Sequence, residues 1–420
     1  SMDHRRDRTR VHDIVLWGAT GFTGSLVAEY LVRRAAAEPV RLALGGRDLA
    51  KLEVLRDRLV GIDPAAAELP LIVADSHDRA SLDAMVRDTA VVCSTVGPYA
   101  LHGRLPVAAC IAARTDYCDL TGEVQFIRTM IDEHHAAAER AGARIVHCCG
   151  FDSIPSDLGT LMLQQAASER HGSPLDRITF VLGASRGSFS GGTVASLVNV
   201  VVEAGADPEI RRILTDPYAL NPEGERDGPD GPDLAGARFD RELGRWTGPF
   251  VMASINTRVV RRSNAILGWP YGRDFRYAEV TGFGAGLKGR LAAIAMAGSV
   301  GTLVAALAWS PTRSLLQTVA LPNPGEGPDR AAREAGFFKI SLHGRTTSSD
   351  GQRVEMTAHV AGDNDPGYGE TAKMLGESAL SLALDGADLE TPGGILTPAA
   401  CMGQRLVDRL RAAGMRFEVP

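Results

Sequence analysis

The sequence predicts an α/β protein in which a doubly wound parallel sheet comes first and a second, α+β domain follows. Three observations lead to this prediction. Short apolar runs alternate with helical patterns up to about residue 150, which is typical of a parallel sheet covered by helices on both faces. The first of these runs ends in three glycines at three-residue spacing. The alternation then stops beyond Asp157.

The first apolar run, Asp13–Trp17, ends at Gly18. Gly21 and Gly24 follow, and a helical pattern begins at Leu26. Gly18 allows a sharp turn, Gly21 lets a diphosphate approach the backbone, and Gly24 lets the helix pack closely on the strand. Free N–H groups at the start of the helix favour an anion. A purely structural turn is the alternative. We interpret the turn as a Rossmann cofactor site formed by Gly18, Thr20, Gly21, Phe22, Thr23 and Gly24.

The residues after the second apolar run, Val40–Leu44, indicate which dinucleotide binds. A Rossmann sheet contacts the adenosine ribose there, and an acidic residue marks NAD. In this sequence Arg47 follows the run, and a guanidinium suits a 2′-phosphate. We therefore predict NADP(H), with Lys51 one helical turn further as a second cation. A solvated arginine at a helix start is the alternative. Asp48 is expected to cap that helix.

Further strands are predicted at Leu71–Ala74, Ala90–Val96, Tyr117–Asp119 and Arg144–Cys148. Ligands of doubly wound sheets bind beyond the carboxyl ends of the strands, so the residues that follow these strands should share one rim. Asp75 follows the third strand and is expected to contact the adenine or to cap the strand. Gly97 and Pro98 follow the fourth strand, where the nicotinamide end of the cofactor should lie.

The chain divides into four predicted segments: a disordered tail at 1–10, the Rossmann domain at 11–157, an α+β substrate domain at 158–385, and a helical segment at 386–420 that returns to the Rossmann domain. Within the substrate domain, residues 337–346 and 354–360 alternate well enough to form a hairpin around Ser349–Gly351.

The segment Leu291–Trp309 contains no charged residue. Its nineteen residues are near the lower limit for crossing a membrane. Lys288 and Arg290 precede it and Arg313 follows it, while alanine and glycine outnumber leucine and isoleucine within it. Three interpretations stay open: a buried or substrate-covering helix pair, shallow attachment to a membrane or lipid surface, and a true span.

Composition excludes several classes of function. The 420 residues carry 45 basic and 51 acidic side chains, a net charge of −6 that does not favour nucleic acid. Six cysteines are scattered without a CxxC motif, as in reduced cytoplasmic proteins. The run Glu133-His134-His135 lacks the i, i+4 spacing of a helical metal pair, so no metal site is expected.

Several motifs together resemble the saccharopine dehydrogenase-like oxidoreductases. They are Gly18-Ala-Thr-Gly-Phe-Thr-Gly24, Thr95-Val-Gly-Pro-Tyr99, Thr115 to Glu123, Gly150 to Asp157 and Asp365 to Tyr368. Within that family the chain is most similar to the bacterial trans-acting enoyl reductases. The resemblance implies a Rossmann domain, a second α/β domain and a nicotinamide cofactor. It also implies an acyl or polyketide substrate carried by a synthase.

Reduction of an enoyl group needs a hydride at the β-carbon, a donor to the carbonyl and a proton at the α-carbon. Tyr99 is the first candidate for donor or proton source, and a packing aromatic is its alternative. His102 is a second candidate, although a loop histidine can simply be solvated. Asp152 is a third; Asp152 or Ser153 could instead cap the next helix. Glu123 is expected to cap a helix rather than to act in catalysis.

Two other functions remain open from the sequence alone. One is a C–N oxidoreductase acting on amino acids, like saccharopine dehydrogenase, which would need cations for several carboxylates. The second half of the chain offers Arg258, Arg261, Arg262, Arg273 and Arg276. The other is a non-catalytic protein that holds the cofactor at a membrane or lipid surface. In every case we expect a homodimer in the cytoplasm, peripheral to the membrane if the apolar segment binds lipid.

Overall fold

The computed structural model describes residues 10–187, 191–321 and 326–420. The predicted tail at 1–10 therefore lies outside the described residues except for Arg10. The Arg10 guanidinium donates to the backbone carbonyls of Val86, Arg87 and Thr89 at 2.9, 2.9 and 3.0 Å. Arg10 is thus part of the folded domain, and the tail is at least one residue shorter than predicted.

The first sheet has seven strands, all paired in parallel. Six come from the N-terminal part of the chain: β1 (His12–Trp17), β2 (Leu42–Gly46), β3 (Leu71–Val73), β4 (Thr89–Ser94), β5 (Asp116–Asp119) and β6 (Arg144–Val146). Their spatial order is β3-β2-β1-β4-β5-β6, and a late strand at Gly394–Leu396 follows β6 at the edge. The order reverses between β1 and β4, which is where a ligand crevice opens in such sheets.

Helices connect these strands and cover both faces of the sheet. They are α1 (Phe22–Ala37), α2 (Leu49–Leu59), α3 (Arg79–Arg87), α4 (Tyr99–His102), α5 (Arg104–Ala113), α6 (Val124–Ala141) and α7 (Ile154–His171). Apolar side chains of the central strands alternate between two buried clusters, one on each face. Leu16, for example, belongs to one cluster and Val15 to the other. The central strands therefore bury apolar side chains on both sides, as expected when both faces of a sheet are covered.

The second sheet also has seven strands but is mixed. Its strands are β7 (Arg177–Arg186), β8 (Arg238–Asp240), β9 (Arg245–Pro249), β10 (Arg276–Gly282), β11 (Phe337–Thr347), β12 (Arg353–Gly362) and, after β13 (Gly394–Leu396) of the first sheet, β14 (Arg416–Glu418). The order is β14-β12-β11-β7-β10-β9-β8. The predicted hairpin is confirmed, since β11 and β12 pair antiparallel from Phe338 with Gly362 to Thr347 with Arg353.

The remaining helices lie around and between the two sheets. They are α8 (Gly191–Ala206), α9 (Pro208–Thr215), α10 (Ala253–Ile266), α11 (Leu287–Ala308), α12 (Ser310–Val319), α13 (Arg330–Ala335), α14 (Gly369–Leu384), α15 (Pro398–Cys401) and α16 (Gly403–Ala412). The predicted fold class, a doubly wound parallel sheet with a second α+β unit, is confirmed.

The C-terminal part of the chain contributes to both units. Helix α14 lies inside the predicted segment 158–385, yet it packs on α1 of the Rossmann sheet. Tyr30 and Arg34 of α1 donate to the Glu377 carboxylate at 2.5 and 2.9 Å. The segment 386–420 is only partly helical, because β13 joins the first sheet and β14 the second. Each of these strands has three residues, too few for a strand pattern to stand out in the sequence.

Arg144 holds the late strand against the parallel sheet. Its side chain is fully buried, and its guanidinium donates to the carbonyls of Thr391, Gly386 and Leu389 at 3.0, 3.0 and 2.7 Å. These carbonyls belong to the loop that leads into β13. A buried cation that satisfies three backbone acceptors is costly to remove, because the acceptors then stay buried without donors.

We expect Arg144→Met to lower the free energy of unfolding by about 3–5 kcal/mol, since three buried carbonyls lose their donor. Urea or thermal unfolding of the purified variant measures this. The matched control is Arg140→Met, which removes an exposed arginine near the end of α6. An Arg144→Met variant as stable as the control would show that water replaces the guanidinium without cost.

Candidate active site

The turn between β1 and α1 is built on two glycines that cannot be replaced. Gly18 has a φ of +84°, and a Cβ on it would lie 2.7 Å from Val96 Cγ2. A Cβ on Gly24 would lie 2.0 Å from the Gly18 carbonyl oxygen, which is closer than any non-bonded contact allows. The Thr95 hydroxyl also donates to that oxygen at 3.0 Å. The first turn of α1 is therefore pressed against the strand end.

Gly21 differs from these two glycines, because the space beside it is open. It precedes α1 in an extended conformation, with φ −67° and ψ 168°. A Cβ there would meet only the Gly18 oxygen, at 3.6 Å. No side chain in the described part of the chain caps α1. The amides of the first turn, beginning with Phe22 and Thr23, are thus left without a side-chain cap, as in helix N-termini that bind a diphosphate.

Arg47 and Lys51 lie beside this turn, after β2. Both are exposed, and within the described residues the Arg47 guanidinium forms neither a hydrogen bond nor an ion pair. The Asp48 carboxylate accepts from the backbone N–H of Lys51 at 3.2 Å, so the prediction that Asp48 caps α2 is confirmed. An unpaired guanidinium at the end of the second strand fits a 2′-phosphate.

His102 lies beside the loop that follows β3. Its Nδ1 is 3.0 Å from His77 Nε2 and 3.5 Å from the Ser76 hydroxyl, both of which follow the edge strand β3. Burial lowers the pKa of His102, and His77 and Arg47 lower it further. The His102 ring thus faces the loop after β3, and its role as a catalytic acid stays a prediction.

Asp75 shapes the loop that carries His77. Its Oδ1 accepts from the backbone N–H of His77 at 2.8 Å, and its own N–H donates to the Ser81 hydroxyl at 3.0 Å. These bonds correspond to the capping alternative for Asp75. Contact with the adenine stays a prediction.

Tyr99 is a packing residue. Its side chain is buried, and its hydroxyl donates to the Ser94 carbonyl at 3.2 Å and accepts from the Leu120 N–H at 3.3 Å. Burial, with Asp119 as the next cause, raises the pKa of Tyr99 well above its ordinary value. These two bonds favour the packing alternative for Tyr99, and its role as proton donor stays a prediction. Gly97 and Pro98, just before it, remain partly exposed at the crevice.

Glu123 fixes the loop after β4, a role that sequence reasoning did not assign. Its carboxylate accepts from the backbone N–H groups of Tyr99 and Ala100 at 2.7 and 3.2 Å. It thus caps α4 and not α6, the helix that it directly precedes. The Ser196 hydroxyl of α8 donates to the same carboxylate at 3.3 Å. Helix α8 therefore reaches across the end of β4 and covers that side of the crevice.

Asp152 is the sequence-predicted acid that the structure leaves unpaired. It follows β6 in the loop before α7, and its Oδ2 would lie 3.0 Å from a Cβ on Gly122. Within the described residues its carboxyl group has no hydrogen-bond partner, and burial raises its pKa from 3.8 to about 6. Neither Asp152 nor Ser153 caps α7, so the capping alternative is wrong. A carboxylic acid of this kind can donate a proton near neutral pH.

The serine beside Asp152 belongs to a buried hydrogen-bond chain. The Ser153 hydroxyl donates to Asn256 Oδ1 at 3.0 Å, and Asn256 Nδ2 donates to Glu279 Oε1 at 2.8 Å. This chain ties α7 to α10 and β10, and so fixes the loop that carries Asp152. Sequence reasoning missed Asn256 and Glu279, which lie more than a hundred positions along the chain and carry no local motif.

Comparison with known proteins shows which family the chain belongs to. Residues 14–146 match the family model described as the saccharopine dehydrogenase NADP binding domain. The chain is 42% identical to a trans-acting enoyl reductase of Mycobacterium bovis and 41% identical to one of Mycobacterium ulcerans, over 97% of each chain. It is 45% identical, with the same coverage, to a Mycobacterium tuberculosis protein whose enoyl reductase name is provisional.

The chain belongs to the trans-acting enoyl reductase family. The resemblance inferred from the sequence motifs is thereby confirmed. The matched domain makes the protein an NADP-dependent oxidoreductase, and the predicted cofactor is confirmed. Apo saccharopine dehydrogenase from Saccharomyces cerevisiae shares the fold, with a TM-score of 0.55 over 97% of this chain and 99% of that one, at 14% identity. The residues that bind NADP in this family member stay predictions.

Gly21 and Gly24 provide a matched test of the cofactor cradle. We expect Gly21→Ala to keep the unfolding free energy within about 1 kcal/mol, because its Cβ has space, yet to weaken NADPH binding at least tenfold. Gly24→Ala should destabilise the whole protein, because its Cβ overlaps the Gly18 oxygen. Fluorescence titration with NADPH and thermal unfolding measure the two effects. Unchanged NADPH affinity in Gly21→Ala would show that the diphosphate does not bind at this turn.

Arg47→Ala tests the 2′-phosphate site. A charge-assisted hydrogen bond is worth about 1.5–3 kcal/mol, so the KM for NADPH should rise about 10- to 100-fold while the KM for NADH stays unchanged. Arg58→Ala is the matched control, since Arg58 is exposed near the end of α2, the helix that follows Arg47. An equal rise in the KM for NADPH and the KM for NADH in Arg47→Ala would contradict this role.

Proposed function

We propose that the protein reduces the C=C bond of an enoyl thioester, a polyketide or lipid intermediate that a separate synthase carries. The observation behind this proposal is the identity of 41–45% with trans-acting enoyl reductases along 97% of the chain. A trans-acting enzyme implies a partner that holds the substrate. The unpaired Asp152 carboxyl at the carboxyl ends of β5 and β6 supports the same reaction, because this reduction needs a proton source beside the nicotinamide.

Each part of the crevice has a proposed task. The amides at the start of α1 hold the diphosphate, Arg47 and Lys51 hold the 2′-phosphate, and Gly97 and Pro98 leave room at the end of β4. When bound, NADPH supplies the hydride for the β-carbon of the substrate. Asp152 supplies the proton for the α-carbon. Its pKa of about 6 leaves roughly a tenth of the carboxyl protonated at pH 7, enough for a general acid that regains its proton from solvent.

The alternative reaction on amino acids finds less support. Its substrate carboxylates would need free cations, and the second half of the chain offers arginines that are already bonded. Arg258 pairs with Asp233 at 2.6 Å, and Arg261 pairs with Asp230 at 2.8 Å. Arg262 is buried and donates to the carbonyls of Leu220 and Ile395, both at 2.6 Å. These three side chains hold α10 in place and are not available to a substrate.

The non-catalytic alternative predicts NADPH binding without turnover. An assay of NADPH oxidation distinguishes this alternative from the proposed function. Its substrate is a 2-enoyl pantetheine thioester, which imitates a carrier-bound intermediate. The homodimer and the cytoplasmic location also stay predictions; light scattering of the purified protein tests the first.

The pH dependence of turnover tests Asp152. Burial raises its pKa, so the protonated form is lost as the pH rises through about 6, and kcat/KM for the enoyl thioester should fall about tenfold per pH unit above that value. Asp152→Asn should lower kcat about 10²- to 10⁴-fold and abolish this fall, while leaving NADPH affinity unchanged. Steady-state rates from pH 5 to 9 measure both effects.

Tyr99→Phe is the control for this experiment. It removes the hydroxyl that bonds Ser94 and Leu120, so it should reduce stability while keeping the pH profile of the native protein. Suppose instead that the pH dependence of kcat/KM is lost in Tyr99→Phe and kept in Asp152→Asn. Tyr99, and not Asp152, would then be the proton donor.

A further inference from the structure

Helix α11 presents an apolar face to solvent. It has 22 residues with a mean hydropathy of 2.0 in its most apolar window, and only 11% of that window is buried. Leu287, Leu291 and Trp309 are 69%, 57% and 63% exposed, and Ile294 and Val304 are also exposed. Leu287, Leu291 and Ile294 recur every three to four residues, so they form one stripe along the first half of α11. The interpretation of this segment as a buried helix is therefore wrong, while a substrate-covering helix pair stays a prediction.

The opposite face of α11 packs against the rest of the protein, most closely in the first half of the helix. Gly289, Ala293 and Leu307 are buried, and a Cβ on Gly248 of β9 would lie 3.4 Å from the Ala293 carbonyl oxygen. The helix packs on β9 and α8, and α12 turns back against it after Trp309. A helix held in this way cannot cross a bilayer without detaching from the sheet. It can only lie along a surface.

The charges around this face have one sign. Residues 287–320 contain Lys288, Arg290 and Arg313 and no acidic side chain, a net charge of +3 in a chain of net charge −6. Lys288 and Arg290 are exposed at the start of the stripe, where Arg290 stacks over the Trp246 ring at 5.5 Å. On α12, Leu315 and Val319 extend the apolar surface and are 63% and 74% exposed.

We propose that the surface formed by α11 and α12 binds the face of an anionic lipid bilayer, with α11 parallel to the membrane plane. Apolar side chains between basic ends, with a tryptophan at one boundary, match the depth profile of a bilayer surface. A second copy of this chain fits less well. A twofold contact through this surface would bring the same basic groups together, and like charges would oppose it.

This orientation has a consequence for the crevice. Helix α8 packs on α11, and Ser196 of α8 contacts Glu123 at the end of β4. One helix therefore separates the lipid-binding surface from the crevice. A bound membrane would then lie next to α8, the helix that covers this side of the crevice. The proposal itself rests on exposure and charge alone and does not depend on the reaction.

Vesicle flotation with the full-length protein tests the proposal. Phosphatidylcholine vesicles are compared with vesicles that contain 30% phosphatidylglycerol. We expect binding to the anionic vesicles, weaker binding as salt increases, and little binding to the neutral ones. The variant Leu291→Glu/Ile294→Glu should lower binding at least tenfold, because both carboxylates would enter the bilayer. Its thermal unfolding and NADPH affinity should stay unchanged, since both positions are exposed.

The control is Val11→Glu/Val54→Glu, which adds the same charge at two other exposed apolar positions, 55% and 68% exposed. It should bind vesicles like the native protein. No binding to anionic vesicles, or full binding by Leu291→Glu/Ile294→Glu, would overturn the proposal. So would a dimer in solution that this variant converts to a monomer. Turnover of a short soluble enoyl thioester without vesicles is measured separately, so a failed lipid proposal leaves the reaction testable.

Discussion

The close approach of α1 to the end of β1 is the constraint on which the crevice depends. The Gly18 oxygen occupies the space where any side chain on residue 24 would begin, and Thr95 of the neighbouring strand end donates to that same oxygen. Backbone from β1, α1 and the end of β4 therefore meets at one point. Because the helix starts there without a side-chain cap, its first amides are left to a ligand. We therefore expect backbone groups to form the anion site, and side chains such as Arg47 to add selectivity for the cofactor.

Features that depend on local sequence could be predicted, and features that depend on distant contacts could not. The glycine turn, the Asp48 cap and the β11–β12 hairpin each arise from residues within one short stretch, so their patterns are visible in the sequence. The direction of the Tyr99 side chain depends on Leu120 and Glu123, which come from another loop. The pairing of His77 with His102 joins loops after two different strands. Sequence spacing contains no information on either arrangement, so it could not show how Tyr99 and His102 are bonded.

A raised pKa alone does not identify the acid in this crevice. Burial raises the pKa of Asp157 to about 7 and that of Glu279 to about 8, further than that of Asp152. Asp157, however, accepts from the Ser263 hydroxyl at 2.6 Å and from the Ala399 N–H at 2.8 Å. Glu279 is bonded to Tyr277 and Asn256. Both carboxyl groups hold elements together. Asp152 differs because no hydrogen bond from the described residues holds its carboxyl group, so the group is free to meet a substrate.

The apolar helix shows how composition and tertiary contacts must be combined. A 22-residue apolar helix satisfies the length and hydropathy of a membrane span, and composition cannot separate a span from a core helix or a surface helix. Tertiary contacts separate them. A core helix would be covered on all sides and a span would be free of the sheet, whereas α11 is attached to β9 on one side and exposed on the other. The uneven distribution of its contacts, together with basic residues at both ends, is the pattern of a helix that lies at an interface.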